Sequence, residues 1–312
     1  ALALTAGAGV AAFTVLPAAA QAATTVHAAT VGPNTAYTYM TFNDQADPTF
    51  NQLLGINSHG VIAGYFGSGA AGHPNKGYTL SSPYGQANYT NENFPASKQT
   101  QVTGLNNLGD TVGFWVNGAA TNRGFIEWNG VFTSYSDPNT PKSLGSVNQL
   151  LGINNAGTAV GFYNDAKGHS HPYELNQATG VFTALKVPGV SSTATGINTA
   201  GDVVGFSTIS GATSSWMLAG SQLTSFQFPG GSDTQAFGIN DKNQIVGSYL
   251  DGTGVMHGFV LTDPTGPTSH WQSIDDPNGV GSTLVNGINK AGDLVGFYTD
   301  AAGNTDGFLA IP

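Results

Sequence analysis

Six times along the chain the pattern G-I-N-x-x-G-x-x-V-G-F-Y returns with little drift, and that repetition limits the fold more than any other feature. The copies begin at Gly55, Gly104, Gly152, Gly196, Gly238 and Gly287, spaced 49, 48, 44, 42 and 49 residues apart. Periods of this size with strand-like content point to propeller blades, units that must stack on neighbours to bury their faces. Each period holds four short runs rich in β-branched and aromatic residues. In the third copy these are Gln149 to Asn154, Ala159 to Tyr163, Pro172 to Leu175 and Val181 to Leu185. Between the first two runs, Asn followed three residues later by Gly suits a tight reversal, because Asn favours the first turn position and Gly accepts positive φ. Asn243 replaces that Gly in the fifth copy, and Asn is the usual substitute in a left-handed conformation. The motif asparagines are therefore expected as turn residues.

The third run opens with a small residue or Pro followed by an aromatic: Tyr78, Phe125, Tyr173, Trp216, Phe259 and Phe308. With Tyr65, Phe114, Phe162, Phe206 and Phe297 on the second run, these supply an aromatic layer between adjacent sheets. A proline follows the fourth run at Pro95, Pro138, Pro188, Pro229 and Pro277, where it ends the ladder. The sixth copy stops after its third run, at Phe308 to Pro312, and the alternating segment Tyr37 to Asn43 supplies the missing strand. The expected fold is all-β: a six-bladed β-propeller of four-stranded antiparallel blades over residues 37–312, closed by Tyr37 to Asn43 completing the last blade. An open solenoid is the alternative, which the complementary chain ends disfavour.

The repeat, with its later H-G-F or D-G-F, resembles the bacterial extracellular HAF-type repeat over Gly55 to Leu309. That resemblance implies a secreted bacterial protein with a propeller-like body and brings no catalytic residues with it. Ser248 in place of the aromatic and Ser215-Trp216 in place of G-F are departures that leave the architecture intact.

Residues 1–36 hold no Asp, Glu, Lys or Arg, and Ala1 to Leu16 are apolar and Ala-rich. That run is shorter than the roughly 20 residues of a membrane-spanning helix. With Ala20-Gln21-Ala22 as an A-x-A cleavage pattern, it reads as a secretion signal, the alternative being an ordered apolar arm. The expected location is extracellular, with no membrane span.

Eight Lys+Arg against 18 Asp+Glu give a net charge of −10, which excludes a phosphate-neutralising surface and with it nucleic acid as a partner. Without cysteine there is no disulfide, no thiolate metal site and no cysteine nucleophile. No H-E-x-x-H, G-x-S-x-G or P-loop occurs, so no catalytic residues are assigned.

In the expected topology one face collects the loops between second and third strands and the connections between blades. Asp44, Asp47, Asp137, Asp165, Asp233, Asp251, Asp275, Asp276 and Asp300 fall there. Of these, Asp44, Asp137, Asp165, Asp251, Asp275 and Asp300 are candidates for binding Ca²⁺ or a cationic ligand around a channel mouth. The competing reading is that Asp is a good turn former. His169 and His171, alternate residues on one side of an extended segment, are half of a candidate metal site. The leading functional expectation is a secreted, non-catalytic scaffold for adhesion or self-assembly, its partners a glycan, a cell-surface component or further copies of itself. The alternative is an extracellular carbohydrate lyase or hydrolase acting at the acidic face.

Overall fold

The computed structural model describes residues 30–31, 36–118, 120–266 and 269–312. Among them the strands form six sheets in chain order, five built on antiparallel four-strand meanders and the last on a three-strand meander completed by an earlier strand, with a single short 3-10 turn at Gln86–Asn88. The inner strands are Asn51–Ile56, Gln99–Leu105, Asn148–Ile153, Ser191–Ile197, Ser232–Ile239 and Thr283–Ile288. Each touches the next, and the last touches the first, so the sheets are the six blades of a closed propeller. In blade 3 the observed strands, Asn148–Ile153, Thr158–Asn164, Ser170–Asn176 and Val181–Ala184, overlay the four runs expected there.

The ring closes as the short sixth copy requires. Thr38–Thr41 is the outer strand of blade 6, paired antiparallel with the last strand from Thr38 opposite Ile311 to Thr41 opposite Phe308. The Tyr39 and Phe308 rings lie 5.9 Å apart. Past Thr41 the Phe42 amide donates to the Gly307 carbonyl at 2.8 Å, and Asn43 continues the contact with its side chain. Its Nδ2 donates to Asp306 Oδ1 at 2.6 Å and its Oδ1 accepts the Gly307 amide at 3.2 Å. Blade 5 has an addition not legible from the repeat, since Thr30–Val31 pairs in parallel with His270 and Trp271 along its outer edge. Ala1 to Leu16 and Ala20-Gln21-Ala22, read above as a secretion signal, lie outside the described residues.

Two glycines of the motif set the distances in this ring. At the first, each inner ladder skips a residue, as between Leu150 and Gly152, and the resulting bulge carries the backbone to the axis. There the six glycines meet edge to edge. A methyl group on Gly55 would stand 3.1 Å from Gly104 Cα, one on Gly152 would stand 3.2 Å from Gly196 Cα, and one on Gly287 would stand 3.0 Å from Gly55 Cα. The second glycine lies beneath the third-strand aromatic, as Gly113 does opposite Phe125 and Gly247 opposite Phe259. Tyr78, Phe125, Tyr173, Trp216, Phe259 and Phe308 are all buried, whereas Phe162 and Phe206 on the second strands are only half-buried.

The motif asparagine does more than turn the chain. Asn154 Oδ1 accepts the amides of Ala156 and Thr158 at 3.0 and 3.1 Å, and its Nδ2 donates 3.0 Å across the blade junction to the Asn198 carbonyl. Asn57 reaches Asn106, Asn106 reaches Asn154 and Asn240 reaches Asn289 in the same way. Asn198 reaches the Asn243 side chain instead, and Asn289 donates within its own turn to Asp293. The turn glycines and Asn243 have positive φ, as expected. Replacing the buried Asn154 by Ala removes both the cap and the tether, and is expected to cost about 2–3 kcal/mol in denaturant unfolding. Asn154→Asp keeps the acceptor and loses the donor, so its loss relative to the native chain measures the tether, and the further loss in Asn154→Ala measures the cap.

Candidate functional site

A meander whose first strand is innermost places the loops between second and third strands, and the connections between blades, at one end of the ring. The carboxylates read as candidates are all at this end, but most are held by their own loops. Asp165 Oδ1 accepts the amides of Lys167 and His169 at 2.8 and 3.0 Å, Asp251 Oδ1 those of Thr253 and Val255 at 2.8 and 2.9 Å, and Asp300 Oδ1 those of Ala302 and Asn304, both at 2.8 Å. Asp44 Oδ1 accepts the Ala46 amide and Gln86 Nε2, and Asp137 Oδ1 accepts the amide and side chain of Asn139. Burial raises the pKa of Asp165, yet hydrogen bonds from His171 and from the His169 and Lys167 amides outweigh it and leave it at about 2. The Val255 amide, then the Thr253 hydroxyl, hold Asp251 below the ordinary carboxylate range. Asp233 is not in a loop but in the inner strand Ser232–Ile239.

Two of the candidates are brought together. Asp275 Oδ1 lies 2.7 Å from His257 Nδ1, and Asp251 Oδ2 lies 3.4 Å from its Nε2. His169 and His171 converge on one carboxylate, with His171 Nε2 3.0 Å and His169 Nδ1 3.5 Å from Asp165 Oδ2. Among the described residues no group of three or more His, Asp or Glu is placed to hold a metal ion.

The axis is filled. The glycine ring leaves a space of about 100 Å³, bordered by Ile, Leu, Gly and Thr with Phe237 and Asn286 and by no titratable side chain. Towards the turn end lies a rim of the motif asparagines and the residues after them, where Asp241 and Lys290 are the charged members. The acidic loops therefore do not open onto a channel that runs through the ring.

Space for a ligand lies along the outer part of blade 3 instead. A cleft of about 510 Å³ is bounded by Asp137, Pro138 and Asn139 on the connection entering blade 3, and by Tyr163, His171, Phe182 and Leu185 of that blade. Tyr163 and His171 are cross-strand partners with rings 5.1 Å apart at 25°. Burial, then the charges of Asp137 and Asp165, raise the pKa of the Tyr163 phenol, which keeps it protonated and able to donate at neutral pH.

Sequence reading missed the pattern to which this pair belongs. The residue after the second-strand aromatic faces the residue just before the third-strand G-F unit, and the six pairs are Phe66 with Lys76, Trp115 with Arg123, Tyr163 with His171, Ser207 with Ser214, Tyr249 with His257, and Tyr298 with Asp306. Its signal was the position in the repeat that changes chemical character from copy to copy while both flanks hold.

Among the described residues no helix is long and apolar enough to cross a membrane. No family model and no curated protein matches the sequence. Solved structures do resemble the fold. AofleA from Arthrobotrys oligospora is 12% identical at a TM-score of 0.52, with 88% of this chain and 86% of that chain covered. XC5397 from Xanthomonas campestris, described as a gluconolactonase, is 12% identical at 0.50, covering 97% and 98%. TolB from Acinetobacter baumannii is 9% identical at 0.50, covering 85% of this chain and 65% of that one. At such identities the likeness is one of fold: this chain is a six-bladed β-propeller with four antiparallel strands to each blade.

Proposed function

We propose that the protein is a secreted, non-catalytic glycan-binding propeller of the HAF type, which takes a ligand in the cleft beside the outer strand of blade 3. The observation that carries this reading is the cleft at Tyr163, where aromatic surface, a protonated phenol, an imidazole and the Asp137 loop border one open space. A pyranose has an apolar face and a rim of hydroxyls, and a binding site of mostly apolar surface with a few placed polar groups matches both. The lyase or hydrolase alternative draws less support. Its candidate carboxylates cap their own loops, and the axial space is too small for a sugar and bordered by no titratable group.

The test is a panel of neutral and acidic oligosaccharides titrated calorimetrically against the full chain. Binding by the native protein is expected, with an affinity loss of about tenfold or more for Tyr163→Ala against the neutral sugar that binds best. Tyr163 is half-buried at the cleft wall, so the fold should survive the change. A native protein that binds no member of the panel, or binding indifferent to Tyr163→Ala, would defeat the proposal.

A further inference from the structure

The chain has one arginine, and it stands at the variable position of blade 2. Arg123 is exposed and faces Trp115 across the ladder. Among the described residues the ion pairs within 4.0 Å are all made by histidines, so the guanidinium has no carboxylate partner in a protein of net charge −10. At the equivalent positions of blades 3 and 5, His171 and His257 do have carboxylates beside them. Lys76 of blade 1 and Arg123 of blade 2 are the cations this position leaves without a carboxylate, and of the two Arg123 alone carries a guanidinium and faces a tryptophan.

The surroundings of that cation are built. The indole of Trp115 is stacked on Phe94 of the connection from blade 1, centroids 4.3 Å apart and planes 1° from parallel, and its Nε1 donates to Ser134 Oγ at 3.1 Å. Phe132 meets Phe94 edge-on at 5.8 Å, which fixes the stack from behind. Trp115 nevertheless stays half-exposed. Lys98 adds a second cation beside the same strand end, since its amide donates to the Val116 carbonyl at 2.9 Å and its side chain runs alongside Gly118. The acid nearest along this connection is Glu92, whose pKa burial and then Glu127 push up to about 7, so its negative charge is weakened near neutrality.

We infer that the junction of blades 1 and 2 is a second carbohydrate site, selective for an acidic sugar whose carboxylate is held by Arg123 while the ring lies against Trp115. A guanidinium presents parallel N–H donors that match the two oxygens of a carboxylate, a fit a lysine cannot give. The inference rests on the glycan-binding reading for the class of ligand, and adds to it the charge, the place and the residue that reads the charge.

The experiment titrates the full chain with a galacturonate oligosaccharide and with its carboxyl-reduced neutral counterpart, read by calorimetry and by tryptophan fluorescence. The acid is expected to bind about tenfold or more tightly than its neutral counterpart, the preference to weaken as salt rises, and the signal to include Trp115. Arg123→Gln should remove the preference, Arg123→Lys should restore part of it, and Tyr163→Ala should leave it in place. Because Arg123 is exposed and unpaired, neither substitution there threatens the fold. If acid and neutral sugars bind alike and Tyr163→Ala abolishes both, the function reading stands and this inference falls. It falls equally if the acid preference survives Arg123→Gln. If neither sugar binds, both readings are overturned.

Discussion

Gly247→Ala is expected to prevent the chain from folding, or to destabilise it by more than about 5 kcal/mol, the range in which single substitutions are exceptional. A methyl group at this position would be driven into the Gln235 carbonyl of the inner strand and would stand 2.8 Å from the Phe259 ring. Neither neighbour can move away. The carbonyl belongs to an inner strand that the glycine ring holds at the axis, and the phenyl is 0% exposed. Ordinary overpacking costs about 1–3 kcal/mol because side chains shift; here the obstacle is backbone on one side and a confined ring on the other. Gly201→Ala is the control. Gly201 has φ of +88° and no atom near the added methyl, so only the left-handed backbone is penalised, by about 1–2 kcal/mol. Thermal unfolding of the two variants checks the argument. Similar melting temperatures for both would show that the second glycine is not kept for its close contact with the inner strand and the third-strand aromatic of its own blade.

The same glycines show what a linear reading can and cannot find. Closure by the segment before Asn43 was legible because the last copy lacks a strand and the first residues alternate, both of which are local facts. The blade 3 strands and the turn role of Asn154 were legible for the same reason. The tether from Asn154 to Asn198 was not, since its acceptor lies 44 residues away and is fixed only by the spacing between blades. The carboxylates were found on the correct face, but Asp165, Asp251 and Asp300 have their oxygens turned back onto amides two and four residues on. A loop of that length ending in such amides had already explained them. Whether the axis is open depends on how near six backbones approach, and no window of sequence contains that distance. The Tyr163 and Arg123 positions were hidden differently: attention to what the repeats share passes over the place where they diverge.

Deletion of residues 1–43 is expected to lower the unfolding temperature by about 10 °C or more and to broaden the transition, although the axis would still be closed. Blade 6 packs on blade 1 through Val295 and Leu309 against Leu53 and Ile56 and through the bridge of Phe50 to Thr305, all of which survive the deletion; two further contacts close the ring. At the axis Gly287 meets Gly55, and this contact survives the deletion. At the periphery Thr38–Thr41 covers the last strand, and there the deletion bares the ladder from Phe308 to Ile311. Phe308 and Ala310, both 0% exposed in the complete chain, lose the cover of Tyr37 and Tyr39, and the Asn43 bonds to Asp306 and Gly307 go with them. Removing buried aromatic contact on this scale costs several kcal/mol, about 3–5 for a single core phenylalanine, and the bared edge invites pairing between molecules. A synthetic peptide of residues 36–45 added in trans should restore both stability and monodispersity, while a scrambled peptide should not. A truncated chain that melts with the intact one would place the stability of the ring in its inner strands, and would deny the outer strand of blade 6 its part in closure.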